Sequence, residues 1–96
     1  MTQYFTPQTL DDNTAKYQTL STNNASVQTT AITGRRIMIT TGAQATYILF
    51  GTNPTAAVTT YVVPANSQMT FNFKTGNKVA VYTATQSYTS VLDLDW

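Results

Sequence analysis

Along most of this chain hydrophobic and polar residues alternate, and no stretch repeats apolar positions at helical spacing over three turns. From Gly34 onward the runs Arg35 to Thr40, Ala45 to Gly51, Thr59 to Val63, Gln68 to Lys74, Lys78 to Thr85 and Tyr88 to Asp95 read as strands. Between them stand Thr41-Gly42, Asn53-Pro54, Pro64-Ala65-Asn66, Gly76-Asn77 and Thr85-Gln86-Ser87, each with turn chemistry. Two shorter β-prone runs, Lys16 to Ser21 and Ser26 to Ile32, come earlier, split by Thr22-Asn23-Asn24. Strands at intervals of roughly ten residues predict an all-β fold, a small antiparallel β-sandwich or β-barrel. Residues 1–14 are polar, with Pro7 and Asp11-Asp12, and read as an extended N-terminal arm; residues 15–96 read as one sandwich domain.

The alternation assigns faces. In the last strand Leu92, Leu94 and Trp96 fall on one side and Asp93 and Asp95 on the other, so the leucine side is expected to be buried and the aspartate side wet. Tyr47-Ile48-Leu49-Phe50 is apolar on both faces and needs cover on both, from a loop or the arm, or from another subunit. The runs holding Phe71-Phe73 and Val79-Val81 read as a hairpin. A two-residue loop at Gly76-Asn77 would split their apolar set, whereas a three-residue loop through Lys78 sets Phe73 against Val81 and Thr75 against Val79. The odd loop is the expectation, with Gly76 or Asn77 at positive φ.

Composition agrees. Thr, Val and Ile make up a third of the 96 residues and Glu is absent, which is a strand composition. With 42% hydrophobic residues, 11% aromatic and only 9% charged, the chain should pack one modest core under a mostly uncharged polar surface. The net charge of +1 gives little drive toward nucleic acid or an anionic membrane, and neither is an expected partner. The absence of Cys leaves the redox compartment open. No signal-peptide pattern follows Met1 and no run is long and apolar enough to span a membrane, so synthesis in the cytoplasm is expected.

Candidate chemistry is sparse. Without His or Cys the commonest general base, the thiol nucleophile and the best transition-metal ligands are all missing, so no enzyme, cofactor or metal site is expected. Asp93 and Asp95 share a strand face at about 7 Å, loosely a glycosidase spacing, but read as two solvated side chains. Thr2 would be an N-terminal nucleophile only on a much larger scaffold, and Asp11-Asp12-Asn13 lacks the acid and glycine spacing of a calcium loop. Alternation sends Arg35 and Arg36 to opposite faces, away from a shared patch. Phe71-Asn72-Phe73-Lys74 is read as core rather than as a base-stacking strand. Asn24-Ala25-Ser26 has the form of a glycosylation acceptor but comes without a secretory signal.

The stretches Gly51-Thr52-Asn53-Pro54-Thr55-Ala56, Tyr61-Val62-Val63-Pro64-Ala65-Asn66 and Thr75-Gly76-Asn77-Lys78-Val79-Ala80-Val81, with a final Leu92-Asp93-Leu94, resemble small virion proteins of tailed bacteriophages, among them capsid decoration (cement) proteins and other head or tail accessory proteins. The resemblance covers about residues 34–96 and lies in turn-and-strand patterning. It implies a β-sandwich on the outer capsid surface, often trimeric, that binds the major capsid protein and braces its subunits, with residues 1–14 as an arm that could add a strand to a coat sheet. Tyr4, Phe5, Tyr47, Leu49 and Trp96 are the expected partner contacts. The alternative is a tail or fibre module that reads glycans through exposed rings such as Tyr61 and Tyr88.

Overall fold

A computed structural model describes residues 17–94, which include neither the predicted arm at 1–14 nor Asp95 and Trp96. The described residues are all-β: β1 (Tyr17–Thr22), β2 (Ala25–Gln28), β3 (Arg36–Thr40), β4 (Thr46–Gly51), β5 (Tyr61–Val63), β6 (Gln68–Asn72), β7 (Lys78–Thr83) and β8 (Ser87–Asp93). Each falls within or beside a run expected from the alternation. They form two antiparallel four-stranded sheets, ordered β1-β8-β3-β6 and β2-β7-β4-β5, packed as a sandwich.

The registers reduce these eight strands to four. Thr22 pairs with Ser87 in one sheet and Ala25 with Thr83 in the other, so β1–β2 and β7–β8 form one long ladder interrupted by two residues on one side and three on the other. The same holds for β3–β4 against β7–β8, where Thr40 pairs with Ser90 and Tyr47 with Tyr82. It holds again for β3–β4 against β5–β6, where Thr40 pairs with Gln68 and Thr46 with Val63. Each mismatch is a single residue, the signature of a bulge that bends a strand and lets it change sheet. The molecule is therefore one four-stranded antiparallel sheet of long strands, folded over a crease.

Polar side chains hold the crease. Thr22 Oγ1 lies 2.6 Å from Thr83 Oγ1, whose proton is committed to Thr85 O at 2.7 Å, so Thr22 is the donor of the pair. Thr41 Oγ1 donates to Pro64 O at 2.7 Å and accepts from the Ser67 N–H at 2.9 Å. Asn24 and Asn66 adopt φ of 53° and 54°, left-handed values that Asn tolerates better than most residues.

Both halves turn their apolar positions inward. Leu20, Ile37, Ile39 and Val91 from one sheet meet Ile48, Val63, Val79 and Val81 from the other. Complete burial of an Ile or Val side chain contributes about 1.5–3 kcal/mol. Away from the crease the core is closed by two crossings, 29–35 and 73–77. Ile32 plugs that end, with its N–H donating to Asn77 O at 2.9 Å and its carbonyl accepting from Gly76 N–H at 2.8 Å. Gly76 has φ +92°, as expected for this turn.

Three expectations are corrected. The segment around Gly76-Asn77 is not a hairpin loop: β6 pairs with β3 and β7 pairs with β2 and β4, so Phe73 does not sit across a ladder from Val81. Phe73 reaches the same core from the opposite layer, which satisfies the apolar pattern equally well. The strand expected from Ser26 to Ile32 ends at Gln28, because Thr29 then pairs with Val79 partly through its side chain, Val79 N–H donating to Thr29 Oγ1 at 2.9 Å.

The third concerns the last strand. Its inward set is Ser87, Thr89, Val91 and Asp93, while Leu92 lies half-buried on the outer face. Asp93 is 2% exposed, opposite Ile37, and its Oδ2 accepts from the Gly34 N–H at 3.1 Å. It is thus not a solvated residue; Asp95, its expected companion, lies outside the described residues.

Candidate interaction surface

The sheet order makes β5–β6 the edge of both layers, next to β4. Here the doubly apolar run of β4 is only partly covered. Ile48 points inward and is 3% exposed; Tyr47 and Leu49 point outward, and Leu49 is 41% exposed. Part of the outer cover comes from the chain itself. The loop after Gly51 crosses outside Ala80 to reach β2, where Gln28 Nε2 donates to Asn53 Oδ1 at 3.0 Å and the Ala56 N–H donates to Ser26 Oγ at 2.9 Å. Ala80, although on the outer face, is thereby fully buried.

The loop returns to β5 through a turn in which the Thr60 hydroxyl donates to Ala57 O at 2.8 Å, leaving Val58 61% exposed. In β5, Val63 is buried in the core, Val62 is 43% exposed on the outer face beside Tyr47, and Tyr61 is 57% exposed although it stands opposite the buried Ile48. Tyr61 is open because the two halves of the bent edge strand diverge from the crease. Between them lies an open apolar cleft of about 520 Å³, lined by Ile48, Phe50, Thr59, Tyr61 and Phe71 among others. Its rings meet edge to face: Phe50 to Phe71 at 5.5 Å and 84°, Phe50 to Phe73 at 5.2 Å and 70°, Tyr61 to Phe71 at 6.2 Å and 86°.

Among the described residues five large hydrophobic side chains are exposed, and Leu49, Val58, Tyr61 and Val62 gather at this one corner. Of the contacts expected from sequence, Tyr47 and Leu49 belong to it; Tyr4, Phe5 and Trp96 lie outside the described residues. Val58 and Val62 were not expected as contacts, and Tyr61 only as a glycan-stacking ring, because only the sheet order reveals β5 as an edge. The fifth exposed residue, Tyr88, stands on the outer face of the other sheet near the crease, so Tyr61 and Tyr88 form no common sugar-stacking platform.

Charge is also segregated. Arg35 precedes β3 and Arg36 opens it, Lys74 follows β6 and Lys78 opens β7, so all four described cations lie at the end opposite the crease. Arg35 lies outside the strand expected to hold both arginines, in the bend before β3, and the crossings bring both lysines to the same end. The described residues hold no cluster of three side chains suited to a metal ion. Comparison with family models, with curated proteins and with solved structures found no match to this chain.

Proposed function

We propose that this chain is a structural protein of a tailed-phage particle, a capsid decoration (cement) protein that binds the coat and its own copies, trimeric on the outer capsid surface, with no catalytic chemistry of its own. The observation that carries the reading is the corner of Leu49, Val58, Tyr61 and Val62, exposed beside an apolar cleft and an edge strand. Exposed apolar groups concentrated in one place mark protein contact surfaces, and an edge strand offers backbone groups for strand addition. The phage assignment rests on the turn-and-strand resemblance of residues 34–96. A surface rich in Thr and Asn makes hydrogen bonds to a lattice without burying charge, and repetition multiplies weak contacts.

The test is the mass of the purified protein alone and after incubation with capsids that lack it. The expected result is a trimer that adds to capsids in fixed ratio. Leu49→Asp and Val62→Asp, at exposed positions, should leave folding stability within about 0.5 kcal/mol and remove that binding. A monomer that ignores capsids would overturn the proposal, as would variants that bind like the unaltered chain.

A further inference from the structure

We propose that the cleft and the cationic end together form a docking surface for this chain's own N-terminal segment, residues 1–16. This rests on the reading above: the segment fills the cleft, and Leu49 and Val62, which point outward beside it, stay open to the particle. Two features of the surface adjoin. Phe71 lines the cleft; the next residue, Asn72, pairs with Arg36; the Phe73 N–H donates to Arg35 O at 2.7 Å; and Lys74 follows. An occupant that fits carries an aromatic or apolar anchor at one point and negative charge a few residues away.

The N-terminal segment has this chemistry. It holds Tyr4-Phe5 and, six residues after Phe5, Asp11-Asp12, two of the chain's four acids. Of the other two, Asp95 lies outside the described residues and Asp93 is buried. Among the described residues Arg36, Lys74 and Lys78 therefore outnumber the acids at that end.

Reach and order also agree. The described chain begins at Tyr17, on the edge strand β1 and at the cationic end, with β8 and β3 between it and β6. Three strand spacings amount to about 14 Å. Asp12 stands five residues before Tyr17 and can lie up to about 17 Å away, which brings the acids over the cations of the central strands. Phe5 stands seven residues further back and can extend about 23 Å more, which covers the remaining distance to the cleft. The segment thus meets charge first and the apolar cleft second, in the order in which the surface presents them. Tethering raises its local concentration to the order of millimolar, so modest contacts suffice.

The absence of cysteine makes a direct test clean. In the full chain, Thr6→Cys combined with Thr59→Cys, beside the anchor and on the rim of the cleft, is oxidised at low protein concentration, next to a control pair of Thr6→Cys with Gln86→Cys at the crease. The expected result is a disulfide within one chain that forms about 10-fold faster than in the control, and that is slowed by Asp11→Asn with Asp12→Asn. Equal rates for the two pairs would overturn the proposal. So would crosslinks found only between chains, which would make a second copy the occupant. Thr59 and Gln86 are exposed, so neither substitution threatens folding, and both leave the rings of the cleft in place. Capsid binding lost on Leu49→Asp is read separately, so either reading can fail alone.

Discussion

Replacing Gly34 by Ala should be among the most damaging single-methyl changes available in this chain. A Cβ at position 34 would overlap Asp93 Oδ1 and lie 2.5 Å from its Cγ, so the carboxylate must move. Asp93 is 2% exposed, and movement breaks the bond its Oδ2 accepts from the Gly34 N–H. Loss of a hydrogen bond to a charged group costs about 1.5–3 kcal/mol, and forcing a methyl into packed structure costs about 1–3 kcal/mol. The stiffer unfolded chain returns about 0.4–1 kcal/mol. The net loss is about 1.5–5.5 kcal/mol, a large share of the ~5–14 kcal/mol expected for a domain of this size. At about 4–8 °C per kcal/mol, Tm should fall by at least ~6 °C. Urea unfolding followed by far-UV circular dichroism measures it. In an Asp93→Ala background the clash is gone, and Gly34→Ala should then cost under about 1 kcal/mol. A cost below 1 kcal/mol in the unaltered protein, or the same cost in both backgrounds, would refute the reasoning.

The crease supplies an asymmetric pair. Thr83→Val removes the acceptor of the Thr22 hydroxyl and should cost about 2 kcal/mol, whereas Thr22→Val leaves Thr83 bonded to Thr85 O and should cost about 1 kcal/mol less; equal losses in denaturant titrations would mean that the donor is misassigned. Gly76→Ala meets nothing within 4 Å but must hold φ +92°, so the expected loss is conformational, about 1–2 kcal/mol, without a change in the cooperativity of unfolding. Asn66→Gly should be neutral within about 0.5 kcal/mol and Asn66→Ala should cost about 1 kcal/mol, since φ 54° suits Gly and penalises Ala; thermal melts of the three proteins decide it.

The positions of all eight strands were legible in the sequence because alternation and turn residues act over a few neighbours. The sheet to which each strand belongs was not. Pro64-Ala65-Asn66 and Thr85-Gln86-Ser87 read as turns, yet both are bends within one long strand, and a bend and a hairpin loop draw on the same residues. Gly76-Asn77 misleads the other way, looking like a hairpin and joining two layers. Asp93 was misplaced because the inward set of β8 is more polar than its outward set, so the pattern alone points the wrong face to water. At the candidate surface, Tyr47 and Leu49 could be picked out because β4 is apolar on both sides. Val58, Tyr61 and Val62, and the gathering of the cations, depend on sheet order, which local patterning does not carry.

The crease also accounts for much of the composition. Strand propensity alone would be met by Val and Ile as well as by Thr. Where a strand bends, however, ladder hydrogen bonds are interrupted and the stranded backbone groups need side-chain partners. Thr41 serves Pro64 O and Ser67 N–H, Thr83 serves Thr85 O, Thr46 serves Gln44 O and the Ser67 hydroxyl serves Ala65 O, all short uncharged groups that reach backbone close by. Several of them are buried, where a lysine or a carboxylate would require a charged partner. Charge is therefore kept out of the bends, and the described cations stand at the opposite end, beside the one apolar corner left open. The demand that places Thr41, Thr46 and Thr83 at the bends thus leaves the crease uncharged and the described cations at the far end.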